Sequence, residues 1–449
     1  MRSGKSLLGL LVVAVALGGY IYFVEMERDP ASPTGGVERE KVFTLETGSI
    51  ERVDITNASA ETTTVVRQDA EWAITAPEPA TADTVEISTV VSSIESLERT
   101  RVVVEAPESA APFGLDPARI TVAFVVTGES TPRQLRIGNK TPTGGDLYAQ
   151  VDGAQAVFLI GGYLEDTFNK SPFDLREKSV LTFSRDGADA LAITRGTSRV
   201  ALTKSGSDWR VSAPMNAAAD FTAVDGIIGR LFQARMAGLV TADGTGNLRD
   251  YGLDRPQAVV TVGSGSAQAE LAIGASAEDE TLVYARDLSR PLVFTIEKTL
   301  LDELTKTPDD LRTKDVFGFR SFNASAFEIT SSGTTYTFTK AAGEGENAAG
   351  VWSMTSPTSK VPDATKMTDL LTTTSNLRAE SFAASAFASG DTLTVTVTYT
   401  DVSNPTTETV TFRKSGTVVH AIRADEPGAA IVSTTDYDRV IALLQEIAG

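Results

Sequence analysis

The sequence predicts an α+β protein with three tandem copies of an antiparallel-sheet domain. Each copy has one long and one short helix, and a single N-terminal transmembrane helix precedes them. Three observations predict this organisation. The chain opens with a long uncharged apolar segment. A tryptophan, a proline five residues later and an aspartate six residues after that occur three times. Around each occurrence, β-rich runs with polar turns lead into the apolar pattern of a helix.

Residues 7–24 form the apolar segment, about 27 Å of helix and close to the thickness of a bilayer core. Arg2 and Lys5 precede it and acidic residues follow it. The positive-inside rule therefore places residues 1–6 in the cytoplasm and the bulk of the chain outside it. A cleaved signal peptide is the alternative, although its apolar stretch is usually shorter. Residues 25–41, with several Pro and Gly residues, are predicted to be a linker.

The repeated tryptophan, proline and aspartate divide the remaining chain into residues 42–180, 181–317 and 318–449. We interpret each tryptophan as a core anchor, because an indole buries a large apolar area. Each proline should end a strand, since it cannot donate a ladder hydrogen bond. Each aspartate should cap a helix, with Glu86 completing a capping box in the first copy. The nine positions are Trp72, Pro77 and Asp83, then Trp209, Pro214 and Asp220, then Trp352, Pro357 and Asp363.

An amphipathic helix is predicted after each aspartate, because apolar residues recur at i, i+3, i+4, i+7 and i+10. The stripe positions are Ile87, Val90, Val91, Ile94 and Leu97, then Val224, Ile227, Ile228, Leu231 and Ala234, then Met367, Leu370, Leu371, Thr374 and Leu377. One face of each helix should therefore lie on a sheet. A second, shorter helix is predicted near residues 163–168, 298–304 and 437–447.

The first two copies share an aromatic-Gly-Leu-Asp turn, which the third lacks. It contains Gly114 in the first copy and Gly252 in the second, where a glycine suits a backbone angle that a side chain would strain.

The same two copies end in an Asp-Leu-Arg-x-Lys segment that we interpret as the connection to the next copy. Its basic residues are Arg176 and Lys178 in the first copy, and Arg312 and Lys314 in the second. They could interact with an anionic partner, but the acidic residues beside them favour ion pairs at the domain junctions.

Composition excludes several kinds of chemistry. The net charge of −19 argues against a nucleic-acid interface and against a face for anionic lipid headgroups. There is no cysteine, and His420 is the single histidine. We find no phosphate-binding loop or dinucleotide fingerprint, and we predict no catalytic residue, cofactor or metal site. Asp116 and Asp254 could act as general acids or bases, but turn aspartates are the favoured interpretation. The sequence indicates no class of small-molecule ligand.

With these motifs, residues 42–449 resemble the bacterial family called domain of unknown function 4340. The resemblance is strongest from Trp72 to Asp116 and from Trp209 to Asp254. Proteins of that family are typically anchored in the envelope and are often encoded beside gliding-motility-type ABC transporters. The resemblance therefore implies a single-pass protein of the bacterial inner (cytoplasmic) membrane, with its bulk in the periplasm or extracytoplasmic space. It implies transporter permease or auxiliary subunits as partners, and it supplies no catalytic residue.

These inferences favour a noncatalytic accessory or scaffold subunit of an ABC-type transport system. The alternative is a binding module for envelope polysaccharide or another surface polymer, and a carboxylate-dependent hydrolase comes third. A deep polar pocket in one copy only would favour a receptor or an enzyme.

Overall fold

The computed structural model describes residues 40–182, 185–341, 350–401 and 404–449. The predicted cytoplasmic end and membrane anchor, and the linker up to residue 39, lie outside the described residues. Within the described ranges, no helix is both long enough and apolar enough to cross a membrane. The chain is mostly antiparallel β-sheet with few helices, and it divides into two compact units between Glu177 and Lys178.

The first unit contains one nine-stranded antiparallel sheet, here the first sheet, with a two-stranded sheet made by β1 and β6. Its strands are β1 (Glu40–Lys41), β2 (Ile50–Thr56), β3 (Thr62–Gln68), β4 (Glu71–Ala76), β5 (Ala80–Thr81), β6 (Glu98–Arg99), β7 (Arg101–Val104), β8 (Ile120–Val126), β9 (Arg133–Lys140), β10 (Asp146–Val151) and β11 (Val157–Gly161). Its helices are α1 (Thr84–Glu95) and α2 (Leu164–Phe168), with a 3₁₀ turn at Ala111–Phe113.

The second unit contains two sheets, here the second and the third. The strands of the second sheet are β12 (Ala190–Arg195), β13 (Ser198–Ser205), β14 (Asp208–Ala213), β15 (Ala217–Ala218), β16 (Gly238–Thr241), β17 (Ala258–Ser264), β18 (Ala267–Ser276), β19 (Leu282–Asp287) and β20 (Val293–Glu297). Those of the third are β21 (Ala324–Ser331), β22 (Thr334–Lys340), β23 (Trp352–Ser356), β24 (Ala379–Ala383), β25 (Asp391–Asp401), β26 (Asn404–Ser415), β27 (Val418–Arg423) and β28 (Ala429–Val432). The helices are α3 (Phe221–Gln233), α4 (Lys298–Glu303), α5 (Pro308–Leu311), α6 (Ala364–Ser375) and α7 (Thr434–Ala448), with a 3₁₀ turn at Arg185–Gly187.

All three sheets have corresponding strand orders. The first is β5-β4-β3-β2-β8-β9-β10-β11-β7 and the second is β15-β14-β13-β12-β17-β18-β19-β20-β16. The third is β23-β22-β21-β25-β26-β27-β28-β24. In each, three strands joined by hairpins lead to the long helix, and the next strand of the sheet forms the opposite edge. The long helix therefore carries the chain from one side of the sheet to the other.

The long helices are held by the apolar stripe and by their caps. Ile87, Val90 and Ile94 are buried in the core of the first sheet. At the start of α1, the Asp83 carboxylate accepts hydrogen bonds from the N–H groups of residues 85 and 86. The Glu86 carboxylate, which we expected in a capping box, instead forms an ion pair with Lys170 at 2.8 Å. A long cationic side chain from near α2 thus competes for the carboxylate.

The repeated residues occupy matching places in the three sheets. Asp220 caps α3 and Asp363 caps α6, each through its side-chain oxygen. Trp209 is buried, while Trp72 and Trp352 are half-buried and pack against their cores. The peptide bonds preceding the three repeated prolines are cis.

The prediction of a shorter second helix is wrong for the third sheet. There α7 has 15 residues and α6 has 12. The apolar stripe of α7 is buried along the whole helix and consists of Tyr437, Val440, Leu443, Leu444 and Ile447. Because this stripe joins the same core as α6, the extra turns are stabilised by packing.

Candidate functional site

Arg312 lies at the connection between the second and third sheets, within the second unit. Its side chain is only 5% exposed and forms an ion pair with Glu426 at 3.0 Å. The guanidinium carbon lies 3.9 Å from the ring centroid of Phe382, on edge strand β24. The other Glu426 oxygen accepts the N–H of Ala218, on β15, at 3.0 Å. Glu426 therefore contacts both edge strand β15 of the second sheet and the segment that leads from the second sheet to the third.

Backbone hydrogen bonds connect the Asp-Leu-Arg-x-Lys segment and the residues after it to the ends of α3 and α6. The Leu311 carbonyl accepts the N–H of Asp220, the cap of α3, at 2.8 Å. Farther on, the Val316 N–H donates to the carbonyl of Leu377, just after α6, at 3.0 Å. The Val316 carbonyl accepts from Arg423 at 3.2 Å. The side chain of Lys314 is exposed.

The equivalent segment at the end of the first unit makes similar backbone contacts. The Leu175 carbonyl accepts the Asp83 N–H at 2.8 Å, and Arg176 forms a β-bridge with Ala82. In the second unit, the Lys178 carbonyl accepts the Met236 N–H at 2.8 Å. Arg176 and Lys178 thus lie on opposite sides of the division between the two units.

The aromatic-Gly-Leu-Asp turn crosses the first and second sheets in the same way. Phe113 packs against Tyr148 of β10 with ring centroids 5.1 Å apart. The Phe113 carbonyl comes so close to Gly138 of β9 that an added Cβ would lie 2.1 Å from its oxygen. Gly114 has a φ of +72°, which favours glycine.

In the second sheet Tyr251 packs against Tyr284 of β19 with ring centroids 5.0 Å apart. A Cβ added to Gly274 of β18 would lie 2.1 Å from the carbonyl oxygen of Tyr251. Gly252 has a φ of +66°.

The third sheet lacks this sequence motif but has a contact of different chemistry at the same place. Phe387 stacks on His420 of β27 with ring centroids 3.8 Å apart and planes 3° from parallel. Sheet register explains the correspondence. In the third sheet Phe412 of β26 pairs with Ala421 of β27, and in the first sheet Ile137 of β9 pairs with Ala149 of β10. His420 and Tyr148 directly precede the paired alanines, so His420 takes the place of Tyr148. The sequence did not reveal this pair, because Phe387 is followed by Ala-Ser-Gly instead of Gly-Leu-Asp and a histidine replaces the tyrosine.

Asp116 and Asp254, the carboxylates that could act as general acids or bases, lie in different units. Asp116 is exposed in its turn in the first unit. Asp254, in the second unit, lies 3.7 Å from Arg249. Hydrogen bonds from the Thr281 hydroxyl and N–H lower the pKa of Asp279 below its ordinary range. Among the described residues, no group of three or more His, Asp or Glu side chains could hold a metal ion.

A polar cleft of about 300 Å³ opens in the first unit at the C-terminal end of α1. Tyr163, 76% exposed, covers Gly161 so closely that a Cβ added there would lie 2.4 Å from the ring. Carboxylates of Glu98 and Asp146 and hydroxyls of nearby serines and a threonine line the cleft.

A cleft of about 370 Å³ at the corresponding place in the second unit has a different lining. It contains Arg230, Gln233 and Arg235, with Thr299 where the first unit has tyrosine. A cleft therefore recurs at this place, but its lining changes from carboxylates and a tyrosine in the first unit to arginines and a threonine in the second.

Comparisons with known proteins identify one family. No curated protein matches the chain. The crystal structure of a DNA polymerase sliding clamp from Pseudomonas aeruginosa with ligand aligns with 88% of this chain and 93% of its own, at 9% identity. Its TM-score of 0.16 carries no argument about fold or function. The sequence model of the family Domain of unknown function (DUF4340) matches residues 72–210 and 209–396, well over half of the chain. These matches begin at or beside Trp72 and Trp209, and the chain belongs to this family.

Proposed function

We propose that the protein is a noncatalytic, membrane-anchored scaffold made of three tandem copies of one domain, serving an ABC-type transport system outside the cytoplasm. The observation that carries this proposal is the buried contact of Arg312 with Glu426 and Phe382. Arg312, whose counterpart in the first copy is Arg176, holds the second and third sheets together through this contact.

The chemistry of this contact favours a permanent structural role. An arginine that binds a mobile anionic ligand needs solvent access, whereas Arg312 is 5% exposed and already paired. Removing Arg312 would leave the Glu426 carboxylate, which is 9% exposed, with the more distant Arg423 at 4.0 Å, so the pair of Arg312 and Glu426 resists opening. Holding the second and third sheets together lets their outer surfaces form one platform within the second unit, as an accessory subunit requires.

The test is recovery of partners from membranes at native expression levels. In mild detergent the full chain should bring permease and ATPase subunits with it. Arg312→Ala should lower that recovery, while Arg320→Ala, which removes a side chain 48% exposed, should leave it unchanged. Recovery of the wild-type chain alone would contradict the proposal.

A second candidate function, binding of a surface polysaccharide, rests on the Tyr163 cleft. An exposed aromatic ring offers a flat apolar face for a sugar ring, and flanking carboxylates and hydroxyls can accept and donate hydrogen bonds to its hydroxyl groups. The corresponding cleft beside the second sheet has Thr299 in place of the aromatic ring, so the two clefts differ in the group that would stack on a sugar.

Binding to an array of envelope glycans separates the two candidates. Under this second proposal, Tyr163→Ala should abolish glycan binding. Phe322→Ala, which removes another aromatic residue that is 78% exposed, should not change it. Equal loss in both variants, or no glycan binding by the wild type, would contradict a role for the cleft.

A further inference from the structure

The connection between β24 and β25 crosses the face of the third sheet that lies opposite the helices. This connection, Ala384–Gly390, is here called the strap. Side chains alternate along a strand, and Val419 and Ala421 of β27 face the core. His420 between them therefore points to the opposite face. It is nevertheless only 5% exposed, because the strap covers it.

Phe387 holds the strap down through three contacts. Its ring stacks on His420 at 3.8 Å. Its N–H donates to His420 Nδ1 at 3.2 Å, and its carbonyl accepts from the Arg413 guanidinium at 2.5 Å. An Nδ1 atom that accepts a hydrogen bond carries no proton, so the ring is neutral with its proton on Nε2. Protonating Nδ1 would place two N–H groups against each other.

The surroundings of the histidine also disfavour its protonation. On β26, Arg413 lies directly opposite His420 in the sheet register and brings a positive charge to the strap. On β28 the register partner is Ile431, which is apolar. The strap itself contains no ionisable side chain. Burial lowers the pKa of His420 below its ordinary value of 6.5.

We propose that the strap is acid-released: neutral His420 holds it closed over the third sheet, and protonation of the ring opens it. The corresponding contacts in the other sheets use Tyr148 and Tyr284 in place of a histidine. Imidazole is the side chain whose charge ordinarily changes between pH 5 and 8, so the response to mild acid belongs to the third sheet. The proposal does not depend on the scaffold function.

The size of the response follows from proton linkage. If the opened histidine has an ordinary pKa near 6.5, lowering the pH from about 7.5 to about 5.0 favours the open strap by about 10- to 30-fold. The lower figure applies if the closed histidine also takes up some protons at the lower pH.

Hydrogen exchange of peptides covering the strap measures this change in the full chain. After correction for the intrinsic pH dependence of exchange, the strap should exchange about 10- to 30-fold faster at the lower pH. The tyrosine-backed turns containing Phe113 and Tyr251 serve as internal controls and should change less than about twofold. His420→Gln keeps a neutral acceptor and should remove the pH response.

Two results of the hydrogen-exchange experiment would overturn the proposal. One is an equal acceleration of strap exchange in His420→Gln, and the other is strap exchange in the wild type that matches the internal controls at both pH values. Should the glutamine variant fail to fold, His420→Tyr imitates the other two sheets. NMR titration of the wild-type chain, which has one histidine, gives its pKa directly. A measured pKa at or above 6.5 would also refute the proposal.

Discussion

Replacing Arg312 by alanine tests how strongly the second and third sheets are coupled. The change removes a side chain that is 5% exposed, its ion pair with Glu426 and its stacking on Phe382. Breaking a buried ion pair typically costs about 3–5 kcal/mol, because the remaining charge stays buried without its partner. Loss of the contact with the aromatic ring adds about 0.5–2 kcal/mol. The Glu426 carboxylate still accepts a hydrogen bond from the Ala218 N–H in this variant, which offsets part of the loss. We expect the free energy of unfolding of the second unit to fall by about 3–5 kcal/mol.

Urea unfolding followed by tryptophan fluorescence measures the loss, provided that the two units are separated. Trp72 belongs to the first unit, so a Trp72→Phe background leaves Trp209 and Trp352 to report on the second. Arg320→Ala is the matched control, because its ion pair with Asp315 is exposed and should contribute less than about 1 kcal/mol.

A double variant tests the contribution of the buried ion pair more strictly. Arg312→Met combined with Glu426→Gln removes both charges and preserves much of the volume, so it should recover most of the stability that the single alanine change loses. Equal, small losses in Arg312→Ala and Arg320→Ala would refute the idea that the buried pair couples the sheets.

Three further predictions concern the helices, the sheets and pH. Asp220→Ala removes the carboxylate that accepts the N–H of residue 223, and should destabilise the second unit by about 0.5–2 kcal/mol in urea unfolding. Gly274→Ala places a Cβ 2.1 Å from the Tyr251 carbonyl and should cost at least about 1–3 kcal/mol, whereas Gly226→Ala, in open space within α3, should be neutral or stabilising by up to about 1 kcal/mol. A larger loss in the second variant than in the first would contradict the packing argument. Finally, because the folded chain lowers the pKa of His420, its contribution to stability should be complete above pH 6.5 and should decrease as the pH falls below it. Urea unfolding of the wild type and His420→Gln at two pH values measures this, and parallel pH dependences would contradict it.

The local organisation of the chain could be predicted well, because its signals lie close together in the sequence. Asp83, Asp220 and Asp363 cap helices through hydrogen bonds to residues two or three positions away. The apolar stripe is likewise a property of one turn after another, so the long helices lie within a few residues of their predicted positions.

Contacts between distant residues were harder to predict. The spacing of Glu86 from Asp83 suggests a capping box, but Lys170, far away in sequence, takes the carboxylate. The length of α7 could be underestimated for a related reason, since its last turns are stabilised by a core that the helix shares with α6.

The amino-acid sequence by itself determined the alternation of hairpins and capped helices and the repeated positions of tryptophan, proline and aspartate. Those features depend on hydrogen bonds and side-chain periodicity within about a dozen residues. Only the tertiary structure decided that Arg312 is buried against Glu426, 114 residues away, and that Phe387 lies on His420, 33 residues away. Sheet register brings such residues together, and that register is set by the packing of a whole face rather than by any one segment.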